Sequence, residues 1–330
     1  MLYAAFQLPG TMETVNSCSQ GLAWKAKEVL RIAYTLPFVM AAVAGVAFAM
    51  TVSAEWLLAL LIPLDVFFLA MLVNFSNDYF DHKSGVDKLR FECLDDENFL
   101  QQLKGLTDGK VYWEGNSLDR GIITSQQGKL LLMVILACTI IVSLPIIYLT
   151  GVISLVLGGL ALLLVLFYTM PPVNLGARGF GELDVFCSFF CIPFFSFFVI
   201  TMEFNYTVFF VSLAIGCGAM LMRIADEVPG YDAHIAMGEK NLVVRLGKDK
   251  LPLLEWTLIG LVYLMVAFAA VTNPWFLLLF LTLPLPLKAM NDLKIEDDVK
   301  YWRPLTKFMF MTTCIALLTV VALALQTLLS

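Results

Sequence analysis

The sequence predicts an all-α, polytopic membrane protein: nine transmembrane helices in one domain spanning residues 1–330. Three observations carry this. Of the 330 residues, 60% are hydrophobic and only 15% are charged, against roughly 25% charged in a soluble globular chain. Nine apolar stretches approach the ~20 residues needed to cross a bilayer as a helix. All 21 Lys and Arg fall before the first stretch or in alternate connections, counting the span ends that border them.

The nine stretches are about 30–50, 56–78, 130–149, 151–170, 182–202, 205–225, 252–271, 274–290 and 308–328. Four connections are very short turns: Thr51 to Glu55, Leu149 to Gly151, Glu203 to Asn205 and Thr272 to Pro274. The basic residues occupy the connections after spans 2, 4, 6 and 8. By the positive-inside rule these connections and the N-terminus are cytoplasmic, and the C-terminus is outside. The net charge of −6 matters less than this distribution. The two long cytoplasmic connections, residues 82–128 and 227–250, are expected to cap one mouth of the bundle. In the first, Phe91, Leu94, Phe99, Leu100, Leu103 and Leu106 have the spacing of a short amphipathic helix, either a lid or an interfacial helix. Residues 1–24 show no charged region leading into an apolar run, so no cleaved signal is expected. The seven cysteines lie mostly in apolar segments without metal-type spacing and read as reduced core residues. The expected surroundings are membrane lipid; no nucleic-acid partner is expected.

Charge at a membrane helix end is costly and points to function. The second stretch ends in Asn74-Phe-Ser-Asn77-Asp78-Tyr-Phe-Asp81, followed by Gly85 and Asp87. On a helix, Asn74, Asn77 (or Asp78) and Asp81 share a face. Gly85 permits a bend that would return Asp87 toward them. The sixth stretch ends in a second acidic cluster, Asp226, Glu227 and Asp232. Its place four spans after the first suggests two related halves. Mg2+ prefers oxygen ligands and is typically held by one or two carboxylates plus substrate phosphates, so two such clusters on one face suit a diphosphate. Arg31, Lys83, Arg178, Lys240 and Arg245 are cations available to phosphate oxygens. Within span 2, Asp65 is either a functional carboxylate or a partner for backbone freed by Pro63 or for a Ser/Thr. The seven phenylalanines from Phe186 to Phe198 either line an apolar tunnel or pack against neighbours.

These residues resemble the UbiA superfamily of intramembrane prenyltransferases. The pattern Asn74-x-x-Asn77-Asp78-x-x-Asp81-x-x-x-Gly85-x-Asp87 looks like its first aspartate-rich motif, in the form of the branch that includes 1,4-dihydroxy-2-naphthoate prenyltransferases. Arg31 to Pro37 is similar to the family's entry into helix 1, with Ile32 in place of a proline. Asp119 to Gln127 resembles the entry into helix 3, Phe167 to Glu182 the helix 4–5 loop, and Gly238 to Gly247 the stretch after the second motif. The matches run in order from about residue 30 to 250, and nine helices is the family's count.

The resemblance implies a prenyl diphosphate bound through two Mg2+ ions, its tail within the bundle, ionising to an allylic cation that an aromatic or lipid acceptor attacks. Asn77, Asp78, Asp81 and Asp87 would serve the first metal site, with Asn74 beside it. Asp226, Glu227 and Asp232 would serve the second. Tyr168, Arg178, Lys240 and Arg31 would contact diphosphate or acceptor, joined by Lys83, Arg245, Tyr231 and His234. The second motif departs from the branch pattern Asn-Glu-x-Pro-Asp-x-x-x-Asp: Gly230 and His234 stand where its two aspartates fall. Either Asp226 and Asp232 compensate, or the second metal site is weakened with His234 as a base or diphosphate contact. The alternatives to a transferase are a terpene cyclase on the same scaffold, needing no acceptor, and a transporter. Transporters place their polar sites near the midplane, whereas these charges sit at one mouth.

Overall fold

A computed structural model describes residues 25–26, 29–85, 116–291, 293 and 303–329. Its described residues form helices and turns without a strand. A 3-10 turn, Ile32–Thr35, leads into α1 (Leu36–Met50). α2 is Trp56–Ser84, α3 Ser125–Thr150, α4 Val152–Thr169, α5 Gly181–Thr201 and α6 Tyr206–Glu227. Two short helices, α7 (Tyr231–Ala236) and α8 (Leu242–Leu246), precede α9 (Leu251–Thr272). A 3-10 stretch, Pro274–Thr282, leads into α10 (Pro284–Asn291), and α11 is Arg303–Leu329.

Among the described residues, eight helical segments are long and apolar enough to cross a membrane. The first predicted span is realised as α1, a shorter apolar helix of 15 residues. The eighth shows why residue count alone misleads. Its nine 3-10 residues rise ~2.0 Å each and the eight of α10 ~1.5 Å each, together about 30 Å. Proline at 274, 284 and 286 withholds backbone donors and favours that tighter winding locally. α2 runs past the predicted end at 78 to Ser84, where Gly85 closes it at φ 80°. The whole stretch from Asn74 to Asp81 is therefore helical, and the expected bend lies after it. α3 starts earlier than predicted because Thr124 and Gln127 form a reciprocal capping box.

α6 packs on α5, α9 and α11 and buries Val211, Ile215, Leu221 and Ile224. Phe48, Phe189, Phe276 and Phe308 complete that core from α1, α5, the 3-10 stretch and α11. α2, α3 and α4 pack around Met71, Leu72, Phe75 and Ile135. Away from the acidic motifs, Val46, Leu58, Ile62, Ile146 and Val199 form a third cluster. Large apolar side chains outside these cores, such as Ile141, Tyr148, Leu155 and Val271, are exposed. That is stable where the solvent is hydrocarbon, and the chain is an integral membrane protein.

The phenylalanine run serves both expected purposes, divided by helical period. Phe186, Phe190, Phe194 and Phe198 stack along one face of α5, with centroids 5.5 to 6.5 Å apart, and meet Phe209 of α6. Phe189 and Phe195 face an internal cavity. The described cysteines 138, 187, 191, 217 and 314 are free, as expected. Cys18, Cys93, residues 1–24, Asp87 and the amphipathic segment 91–106 lie outside the described residues.

α1 and α5 meet at Gly45, where an added Cβ would lie 2.1 Å from the Pro193 carbonyl oxygen. Gly45→Ala is therefore expected to push the two helices apart and to cost about 1–3 kcal/mol, read as a lower denaturation midpoint in detergent.

Candidate active site

One cavity of about 720 Å³ descends through the bundle between α1, α2, α4, α5 and α6. Its mouth is polar. Asn74, Asn77, Asp78 and Asp81 reach it from the last turns of α2, Tyr168 from the last turn of α4, and Arg223, Asp226 and Glu227 from the last turns of α6. Arg31 lies across from them at φ 46°, in the left-handed region. Below the mouth the walls turn apolar, with Val66, Leu69, Ala70, Leu164, Phe189 and Ile192.

The mouth is organised by opposite charges. Arg31 Nη1 sits 3.1 Å from the buried Asp78 Oδ1. The Asp78 carbonyl accepts from Asn116 at 2.5 Å, fixing the residues before α3 against the motif. Asn77 Nδ2 donates to Asp81 Oδ2 at 2.7 Å, so the i, i+4 face expected from the sequence is formed. Opposite, Arg223 pairs with Asp226 at 3.3 Å and with Glu227, and its guanidinium lies 5.4 Å over the Tyr168 ring. Glu227 also accepts from Asn241 at 2.9 Å, and His234 Nε2 is 2.6 Å away. The other ring nitrogen of His234 is 2.5 Å from Glu239.

Several expected residues take other positions. Glu227, expected as a metal ligand, is buried with both oxygens occupied by Arg223, Asn241 and His234. Asp232 is exposed and does not line the cavity. The six-residue spacing that mirrored Asp81 and Asp87 fails because the chain after Glu227 continues as a 3-10 turn into α7, carrying Asp232 outward. Tyr231, Lys83, Arg178, Lys240 and Arg245 also lie off the cavity wall. Lys83 sits over the Tyr79 ring and Lys248 over Tyr231. Arg178 donates to the Pro172 carbonyl, and Arg245 to the Arg178 carbonyl at 2.9 Å. With Lys240 N–H on the Ala177 carbonyl and Leu242 N–H on Glu182, these contacts stitch the α4–α5 loop to the segment after the second motif. His234 does reach the cavity, but as a bridge between two carboxylates.

Sequence reasoning missed Arg223 and Asp184. Arg223 was legible as the cation three and four residues before Asp226 and Glu227, the spacing of a helical ion pair. Asp184 was hidden by its position at the border of the fifth span. It is buried in the first turn of α5 and lines the cavity, and its Oδ1 has no hydrogen-bond partner among the described residues. Asn74 Nδ2 is likewise buried and unpartnered among them.

The donors at the α2 mouth, amide and carboxylate oxygens, suit a hard cation such as Mg2+. No group of three or more acidic, His or Cys side chains among the described residues is gathered closely enough to hold a metal by itself.

Residues 38–314 match the model of the UbiA prenyltransferase family. The chain belongs to that family. Solved structures share its fold. A UbiA homologue from Aeropyrum pernix K1 aligns with a TM-score of 0.62 at 11% identity, covering 91% of this chain and 98% of that one. A UbiA homologue from Archaeoglobus fulgidus, bound to DMAPP and Mg2+, aligns with a TM-score of 0.58 at 16% identity over 91% and 99%. A digeranylgeranylglyceryl phosphate synthase aligns with a TM-score of 0.56, also at 16% identity, over 91% and 98%. No curated protein sequence matches the chain. As a family member the chain has a mouth with two separable halves, the α2 motif and the Arg223 cluster.

Breaking the Arg223 cluster leaves Glu227 buried beside Asp226 without its counter-ion. Arg223→Leu is expected to destabilise the folded protein by about 3–5 kcal/mol, and Arg223→Lys by less, measured by denaturant unfolding in detergent.

Proposed function

We propose that the chain transfers a prenyl group from a prenyl diphosphate to an aromatic acceptor, a naphthoquinone precursor of the 1,4-dihydroxy-2-naphthoate type. The observation that carries this is the cavity itself: a charged mouth joined to an apolar shaft, the shape of a diphosphate joined to an isoprenoid tail. Its volume lies within the range of small-molecule sites. The Archaeoglobus homologue solved with DMAPP and Mg2+ supports this reading of the mouth. The naphthoate-type acceptor rests on the motif form Asn74 to Asp87.

Asn77, Asp78 and Asp81 would hold Mg2+ at the α2 side, with Asp87 as a further ligand and Asn74 alongside. Bound there, Mg2+ offsets the negative charge that develops on the departing diphosphate. Arg31 and Arg223 line the same cavity and would supply guanidinium donors to phosphate oxygens. On the α6 side Asp226, which pairs with Arg223, would be the carboxylate to take a second ion, since Glu227 is held by Arg223, Asn241 and His234. The C1–O bond breaks with its electron pair leaving on the diphosphate; an acceptor ring carbon closes the new bond to C1, and the hydrogen it carried passes as a proton to the released diphosphate as the ring regains aromaticity. Asp184 and Tyr168 line the same cavity, and the Asp184 oxygen that has no partner among the described residues would accept from the hydroxyl of an incoming acceptor. The apolar wall excludes water from the cation. The Lys and Arg distribution supports a cytoplasmic mouth and N-terminus, with the C-terminus outside.

The test is incubation of purified protein with Mg2+ and geranylgeranyl diphosphate, with and without 1,4-dihydroxy-2-naphthoate, with products identified by mass spectrometry. A prenylated product that forms only with acceptor supports the transferase. A terpene hydrocarbon or alcohol without acceptor replaces it with the cyclase. Chelation of Mg2+ is expected to abolish turnover. Asp81→Asn is expected to lower kcat by about a hundredfold. Asp226→Asn is expected to weaken Mg2+-dependent turnover, whereas Asp232→Asn, on the exposed side of α7, leaves it unchanged.

A further inference from the structure

Asp65 is a carboxylate on the wall of the apolar shaft. It lines the cavity with Ile62, Val66, Ile146 and Val199, far from the charged mouth. It sits 13 residues before Asp78 on the same helix, about 20 Å deeper at ~1.5 Å per residue. Its one hydrogen bond among the described residues is from Ser143 Oγ to Oδ1, at 2.8 Å. The same hydroxyl lies 2.9 Å from the Thr139 carbonyl, so one hydrogen is shared between two acceptors. Both side chains sit two residues from a proline inside their helices, Pro63 in α2 and Pro145 in α3.

A carboxylate with one shared donor needs water or another polar group at its remaining oxygen. Hydrocarbon pressed against it strips that solvation without replacing it, which is costly. A tail that stops short of Asp65 avoids the cost, and a longer one incurs it. An isoprene unit adds four chain bonds, about 5 Å at the per-bond reach of an extended chain. An extended tail held at the mouth therefore meets Asp65 after about four units.

We propose that Asp65, oriented by Ser143, sets the upper length of the prenyl tail, admitting donors up to about C20 and discriminating against longer ones. This rests on the prenyl-diphosphate reading above. The test measures kcat/KM for C15, C20, C30 and C45 prenyl diphosphates in the wild type, Asp65→Leu and Ser143→Ala. The readout is the ratio between donors within one preparation, which does not depend on how much protein is folded. In the wild type, kcat/KM is expected to fall about tenfold or more from C20 to C30. Asp65→Leu should largely erase that fall, whereas Ser143→Ala, which keeps the carboxylate, should retain it. An unchanged C20-to-C30 ratio in Asp65→Leu overturns the proposal. So does the same change in both variants, because it assigns the pair a packing role. If the wild type turns over no prenyl diphosphate of any length, the functional reading itself falls and takes this inference with it. Turnover with a flat length profile in the wild type removes only the inference.

Discussion

Charge at the edge of hydrocarbon is tolerated only when something compensates it, and the structure of this mouth follows from that constraint. Arg223 is the centre of the compensation. It rises from the last turns of α6 into a position where Asp226, Glu227 and the Tyr168 ring surround it. With that guanidinium in place, Glu227 can be buried, and Asn241 and His234 can close on it from the segment that follows. The α4–α5 loop is then fastened to the same segment through Lys240, Leu242 and Arg245. A single cation thus sits at the junction of two connections.

The two sides of the mouth therefore differ in chemistry although their sequences look alike. On α2, the acidic residues stand on an uninterrupted helix and present amide and carboxylate oxygens to the cavity, with Arg31 opposite. On α6, the acidic residues are mostly consumed by the protein's own cations and amides. His234 lies between Glu227 and Glu239, an acidic pair that would otherwise face one another across the fold. The hydrophobic shaft needs no such balance until Asp65, where charge reappears with only a serine to meet it.

Much of this was legible in the sequence because the relevant patterns are periodic or compositional. The helical class and the shared face of Asn74, Asn77 and Asp81 follow from local spacing, and the structure bears them out. Inferences that carried a side chain across a turn met the structure unevenly: His234 reaches the cavity, whereas other residues do not line it. Asp232 was placed at the site by analogy with the spacing of Asp81 and Asp87, yet a 3-10 turn points it outward. Arg178 and Arg245 were offered as phosphate contacts, yet they donate to backbone carbonyls.

By itself the sequence determined that the chain lives in a membrane, that its helices are long and apolar, and that acidic residues gather at one mouth. Those properties are set by the hydrophobicity and period of contiguous residues. Only the tertiary structure decided which carboxylates remain open to a ligand and which are spent on the protein. That outcome depends on pairings such as Arg31 with Asp78, Glu182 with Leu242 N–H and Asp65 with Ser143. Each joins residues far apart in the chain, and their energetics exist only once the helices have packed.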